Sequence, residues 1–467
     1  MIRNIKELCK KSMMAVLTGA MLVTGLAGIK TQKVQAQDYW PSSIDVSSQA
    51  AIVMEEETGA ILYAKNVDTP YYPASITKIL TALIALENSD LDEVVTFSPE
   101  AVGQSADGSS SISRDYDEQM TMEQCLYGMM LESANECAYA IAEHVGDGDI
   151  SVFIDLMNKK AEELGCKNTH FSNPNGLPDE NHYTSPYDTA LISRAAYANT
   201  KFAEIVGTRS YNIPPTNKHA EETLLNNHHS MLNYYKTNEY LYDYCLGGKT
   251  GYTDAANSTL VTYARKDGMT LVCVVLNAVA PAHYVDTRAL FDYCFDNFSV
   301  YSVDDTAALF ENDSVKDIGM LGDNIDLVKV SDNGVVILPK TANFADASAK
   351  VVPSDSSDKS VVGRIEYTYA DRYVGGADLI YSSDQAGSYP FHNLDEEEGG
   401  STLSYFRIDF KMTLLIILLL IGSAGIVYLV HLKSGSIILY KKRHFDSKKK
   451  PRPKYKQIRR SKRRKRR

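Results

Sequence analysis

Two side chains in the stretch YYPASITKILTALIALEN, residues 71–88, could do chemistry together. Ser75 and Lys78 stand three residues apart where an apolar helix opens, with Ile76, Ile79, Leu80, Leu83 and Ile84 recurring at helical spacing. An ammonium is costly to bury without a partner. A serine hydroxyl is a poor nucleophile at neutral pH unless a neighbouring base takes its proton. If Ser75 starts the helix, Lys78 follows one turn later on the same face. A lysine in a dry pocket near another cation loses its charge and can serve as that base. Free N–H groups at the helix start would favour an oxyanion forming beside Ser75. A capping serine with a snorkelling lysine has the same spacing, so this pair alone does not decide the matter.

Two further groups bear on it. Ser133 and Asn135 in ESANE lie two apart in a turn at a helix start, where a hydroxyl and an amide can face one cleft. Lys249, Thr250 and Gly251 open an expected strand, with Lys249 and Gly251 on one face and Thr250 on the other. Gly251 would let a neighbouring helix or ligand approach the backbone. Lys249 could present positive charge to a carboxylate and depress the pKa of Lys78.

The elements that must position these residues can be read in outline. AAIVMEEETGAILYAKN reads as a hairpin about a Glu-Thr-Gly turn. The Ser75 helix follows, then helices over Met122–Met130, in ESANECAYAIAEHV and over 151–164. CLGGKTGYTDAANSTLVTYARKDGMTLVCVVLNA reads as three strands with turns at TDAAN and RKDG, and VDTRALFDYCFDNF as a last helix. The fold class is α/β, an antiparallel sheet with a helical subdomain and no βαβ crossovers. From about Tyr301 short apolar runs alternate with Asp, Gly, Ser and Pro, so 301–385 is expected to be a small all-β domain, with 386–411 a polar, acidic linker.

The formal net charge of -11 conceals three regions. Residues 38–411 carry 24 Lys/Arg against 57 Asp/Glu, whereas 17 Lys/Arg and one acid stand from Lys441 onward. Residues 1–36 have the basic start, apolar run and small residues (Val34, Ala36) of a secretory signal peptide. The uncharged run 412–432 is long enough to cross a bilayer as a helix, and the positive-inside rule puts the basic tail, 433–467, in the cytoplasm. The expectation is a single-pass membrane protein whose tail meets anionic lipid rather than nucleic acid. Six cysteines lie between Cys125 and Cys294 without C-x-x-C or metal-ligand spacing, and are expected to be buried free thiols. His219, Glu221, Glu222, His228 and His229 lack H-E-x-x-H and their polarity suits a solvated surface. No metal or other cofactor is expected.

The three motifs, SITK at 75–78, SAN at 133–135 and KTG at 249–251, resemble the S-x-x-K, S-x-N and K-T-G set of penicillin-binding proteins and serine β-lactamases. Their flanks are similar to those of the low-molecular-mass D-alanyl-D-alanine carboxypeptidases, serine peptidase family S11, over about residues 45–300. The resemblance implies a serine carboxypeptidase domain, 37–300. Ser75 would attack the carbonyl between the two terminal D-alanines of a peptidoglycan stem peptide, and Lys78 would be the general base. Ser133 and Asn135 would position substrate and relay a proton to the leaving amine. Lys249 and Thr250 would bind the terminal carboxylate, and the backbone N–H groups of Ser75 and Tyr252 would form the oxyanion hole. β-Lactams would acylate Ser75. Location at a bacterial cell membrane, catalytic domain outward, follows from the leader and the apolar run. A β-lactamase of the same fold and a non-enzymatic penicillin-binding scaffold or sensor are the alternatives. Many relatives have Pro-Ser-Gly-Asn where this chain has Glu132, Ser133, Ala134 and Asn135.

Overall fold

The computed structural model describes residues 39–105, 108–303, 328–353, 358 and 360–381. All of these fall within one compact unit, residues 1–388. The strands are β1 (Ala50–Glu55), β2 (Ile61–Lys65), β3 (Val94–Thr96), β4 (Gln119–Thr121), β5 (Ser210–Ile213), β6 (Thr223–Asn226), β7 (Cys245–Thr253), β8 (Asn257–Lys266), β9 (Met269–Ala278), β10 (Phe298–Ser302), β11 (Val328–Val330), β12 (Val335–Pro339), β13 (Ser348–Val352), β14 (Val361–Tyr369) and β15 (Arg372–Tyr381). The helices are α1 (Lys78–Asn88), α2 (Pro99–Gly103), α3 (Met122–Leu131), α4 (Asn135–Val145), α5 (Ile150–Glu163), α6 (Pro186–Tyr197), α7 (Thr200–Gly207) and α8 (Ala282–Asn297).

The main sheet is antiparallel, in the order β2-β1-β9-β8-β7. Pairing of β1 with β9, Val53 opposite Cys273, joins residues far apart in the chain. Both faces are covered. Ile52, Met54, Val272 and Val274 enter the core shared with α1, α3 and α4, while Val53, Leu271, Cys273 and Val275 point the other way into a core with Leu290, Phe291 and Phe295 of α8. A strand buried on both faces loses the alternation of a half-exposed one, which is why MTLVCVVLNA is almost continuously apolar. β7 lies at an end of the sheet order and pairs only with β8, leaving its other edge free for the cleft.

The helical side is set by local signals. Thr121 and Gln124 form a reciprocal capping box at the start of α3. Helices α6 and α7 are additions to the sequence reading; their apolar faces are short, and the caps Ser185 and Asn199 are the signal that marks them. β10–β15 form a second antiparallel sheet, β10-β12-β15-β14-β13 with β11 on β15, around a separate apolar cluster that includes Val336, Leu338, Ile365 and Val374. The segment before β1 ties the two sheets together: Trp40 packs on Phe298 with ring centroids 5.1 Å apart, and the guanidinium of Arg372 stands 4.7 Å from the Trp40 ring.

Two expectations are corrected. No helix among the described residues is long and apolar enough to cross a membrane. The longest, α8, has 16 residues and so spans only about 24 Å, short of a hydrocarbon core of about 30 Å. The structure therefore supplies no transmembrane helix for the fold class and no span for a single-pass location, and bilayer and lipid lose their support as partners. The expected span, 412–432, lies outside the described residues, as do the leader, linker and basic tail. The six described cysteines are free thiols, and four of them are buried.

Candidate active site

Ser75 sits in a 3-10 turn, Ala74–Thr77, that runs directly into α1. Residues three apart eclipse in such a turn, and Lys78 Nζ lies 3.1 Å from Ser75 Oγ. The ammonium site is fully buried. Its two other bonds go to Asn135 Oδ1 at 2.7 Å and to the Asn175 carbonyl oxygen at 2.6 Å. A carbonyl oxygen can only accept. A neutral Lys78 amine therefore spends both N–H groups on these two oxygens and leaves its lone pair for the proton of Ser75.

Electrostatics favour that neutral state. Burial lowers the Lys78 pKa well below the usual lysine range, and the charge of Lys249 adds to the shift against the opposing pull of Glu136. Glu136 is itself buried; its Oε1 accepts from Ser111 Oγ at 2.7 Å and Ile112 N at 2.6 Å, pinning that loop to α4.

Two glycines fix the Ser75 backbone. Gly176 has φ +85, and a Cβ there would lie 1.9 Å from Ala74 O and 3.0 Å from Ser75 N. At Gly251 a Cβ would lie 2.9 Å from Ser75 N and 2.4 Å from Thr259 Oγ1. The Ala74–Ser75 peptide is thus closed in from the 176 loop and from β7, with Thr259 Oγ1 donating to Pro73 O at 2.8 Å. Thr77 Oγ1 donates to Ala74 O at 2.9 Å and accepts from His182 Nε2 at 2.8 Å. The ring proton belongs on Nε2 because Nδ1 accepts from Ser172 N at 3.0 Å. Burial pushes His182 down to about 4, keeping it neutral. Ala74 at φ +52 and Ser133 at φ +63 are strained, non-glycine left-handed residues beside the two serine side chains.

Ser75, Ser133, Asn135, Thr250, Gly251 and Tyr252 line one cleft of about 560 Å³. Among the described residues the buried Ser133 hydroxyl has no hydrogen-bond partner. Asn135 opens α4, its N–H held by Ser110 O at 2.9 Å. Lys249, 2% exposed, lies on the buried face of β7 and donates to Thr250 O at 2.8 Å. Burial, reinforced by the charge of Lys236, brings Lys249 down to about 7.

Known proteins resemble this chain over the region that holds the motif residues of the cleft. Residues 32–280 match the family described as D-alanyl-D-alanine carboxypeptidase. The chain belongs to the D-alanyl-D-alanine carboxypeptidase family. It is 32% identical to carboxypeptidase DacF of Bacillus subtilis, over 56% of this chain and 65% of that one. Over 54% of this chain and 83% of the other it is also 32% identical to DacB2 of Mycobacterium tuberculosis. The crystal structure of the Streptomyces K15 DD-transpeptidase superposes with a TM-score of 0.51 at 29% identity, over 55% of this chain and 100% of that one.

Within this carboxypeptidase, the departure at Glu132 has a structural use. Its carboxylate accepts from Asn226 N at 2.6 Å and pairs with His228 Nε2 at 2.5 Å, bracing the strained turn at Ser133. Burial raises its pKa, but the bonds from His228 and Asn226 outweigh that and the net shift is downward. The sequence reading passed over Asn175, Gly176, Glu136 and His182. Three of them lie in FSNPNGLPDENHYTSPYD, whose density of Asn, Gly and Pro was the available signal. The histidine-rich stretch is not a uniformly solvated surface. His229 is buried, with Nε2 2.9 Å from Thr262 Oγ1. His219 joins Asp115 and Glu118, but Glu118 is already paired to Arg114 at 2.9 Å.

Proposed function

We propose that Ser75 is the nucleophile and Lys78 the general base of this carboxypeptidase. The activity is that of a serine-type D-alanyl-D-alanine carboxypeptidase, a hydrolase acting on peptidoglycan stem peptides. The observation that carries the assignment is the bonding of Lys78, whose two other contacts are both carbonyl oxygens and which is left to accept from Ser75 Oγ.

In the proposed sequence Lys78 takes the hydroxyl proton as Ser75 Oγ adds to the carbonyl carbon between the two terminal D-alanines. The oxyanion is held by the N–H groups of Ser75 and Tyr252. Ser133, whose hydroxyl has no partner among the described residues, passes a proton to the departing amine with Asn135 fixing the substrate amide. The C–N bond breaks, D-alanine leaves, and water hydrolyses the ester on Ser75. Thr250, with Lys249 behind it, receives the terminal carboxylate. The free edge of β7 suits an extended peptide. β-Lactams enter as mimics of the dipeptide and acylate Ser75. Residues 37–300 form the catalytic domain in this reading and 301–385 the small β-domain, behind a leader at 1–36. Nothing in the fold or the relatives favours the β-lactamase alternative.

The test is release of D-alanine from a diacyl-L-lysyl-D-alanyl-D-alanine peptide, with covalent β-lactam labelling in parallel. Ser75→Ala is expected to abolish both with an unchanged melting temperature. Turnover retained in that variant removes Ser75 from the mechanism.

A further inference from the structure

We propose that Lys236 supplies the formal cation that binds the substrate's terminal carboxylate, at a position outside the three motifs. The inference rests on the carboxypeptidase reading and adds a specificity residue to it.

A free carboxylate entering a half-open cleft needs a charge it can reach. Neither motif lysine presents its amino group at the surface of the cleft. Lys78 and Lys249 are 0% and 2% exposed, and their amino groups are engaged by carbonyl oxygens. Lys236 is the single lysine or arginine lining the cleft, and no Asp or Glu lines it among the described residues. The two histidines on the lining do not replace it. His228 is committed to Glu132 at 2.5 Å, and burial takes His283 down to about 4, so it is neutral near pH 7.

Lys236 is also in the right part of the cleft. Its charge acts on Glu132, next to Ser133, and on Lys249, next to Thr250. It lines the same cleft as Ser133 of the second motif and Thr250 of the third, where the leaving D-alanine is expected. Among the described residues it has no hydrogen-bond or ion-pair partner of its own. The loop that carries it, between β6 and β7, is pinned at both ends. Asn227 Nδ2 donates to Thr208 O at 2.9 Å, Asn233 Nδ2 to Arg209 O at 2.9 Å, and Tyr242 N to Met231 O at 3.0 Å. Tyr240 stacks on Tyr284, a cleft residue, at 5.0 Å. Between these anchors Tyr234, Tyr235 and Lys236 are exposed, so the loop holds a free ammonium at the rim without burying it.

The experiment compares two peptides that differ in one group: diacyl-L-lysyl-D-alanyl-D-alanine and its C-terminal amide. Release of D-alanine or D-alaninamide gives kcat/KM for each. In Lys236→Gln the preference for the acid over the amide is expected to fall about tenfold, mostly through KM, as loss of a bond to a charged group predicts. Lys236→Arg should restore it. An equal loss on both peptides, or none on either, overturns the role of Lys236. Failure of the wild-type protein to cleave the acid peptide overturns the carboxypeptidase reading instead, so the two failures are distinct.

Discussion

The two walls of the cleft bury a lysine each, and the two lysines are held very differently. On the helical wall Lys78 has three bonds, and the serine beside it is fixed by a 3-10 turn, two glycines and the Thr77–His182 pair. On the sheet wall Lys249 bonds to one carbonyl, on the free-edged strand β7. Burial lowers the pKa of both. The difference teaches that desolvation alone makes a neutral lysine, whereas a base also needs its lone pair directed. In the proposed mechanism the helical wall serves proton transfer and the sheet wall receives a chain end.

The largest effect expected after loss of Ser75 itself is that of Lys78→Met. It should lower kcat by about 10³-fold or more with KM nearly unchanged. A KM effect of similar size would make Lys78 a binding residue and erase the contrast between the walls. Gly251→Ala comes next. Its Cβ would press on Ser75 N and Thr259 Oγ1, and a displacement of that size near the nucleophile is expected to cost about 10²-fold in acylation rate, read by the kinetics of β-lactam labelling.

The third prediction concerns pH. Loss of the Lys78 proton makes the base, so kcat/KM should rise with pH through the lowered Lys78 pKa. It should decline as Lys249 loses its charge near 7. Lys249→Arg should move the alkaline decline upward and leave the acid limb in place. An unmoved decline would show that Lys249 does not set it.

The fourth is a stability measurement. A lysine whose folded pKa is depressed binds fewer protons folded than unfolded between about 7 and its ordinary value, so its burial penalises stability most below that window and the penalty fades as pH rises. Lys249→Met is expected to stabilise the protein by roughly 1–3 kcal/mol at pH 6–7. The gain should shrink toward pH 10, as thermal unfolding at both values would show. The smallest effect is that of Asn175→Ala. The bond to Lys78 comes from its backbone carbonyl, so kcat should change by less than about threefold. A large loss would mean that the Asn175 side chain orders the loop through Gln104, its partner at 3.1 Å.

The sequence reading located the residues of the cleft better than it located their supports. S-x-x-K, S-x-N and K-T-G are short motifs whose residue types state a chemistry, and the three strands after Lys249 have turn residues at each end. Asn175 and Gly176 act through a carbonyl oxygen and a missing Cβ. Neither leaves a side-chain signature. In the sequence Glu132 is only a departure from the relatives' motif, and its use depends on Asn226 at the end of β6 and His228 just beyond it, nearly a hundred residues away. The expected membrane span, 412–432, lies outside the described residues. Among the described residues no helix is long and apolar enough to cross a membrane.

By itself the sequence determined the spacing of the three motifs, the family and much of the order of helices and strands, because these depend on local spacing and residue type. Only the tertiary structure decided that Lys78 Nζ stands 3.1 Å from Ser75 Oγ with its other bonds on two carbonyl oxygens, that Lys249 is turned inward, and that Lys236 is the one lysine or arginine lining the cleft among the described residues. Each of those depends on burial and on partners brought from distant parts of the chain. Desolvation and hydrogen bonding act at distances of a few ångströms, and no one-dimensional pattern encodes which atoms will stand that close.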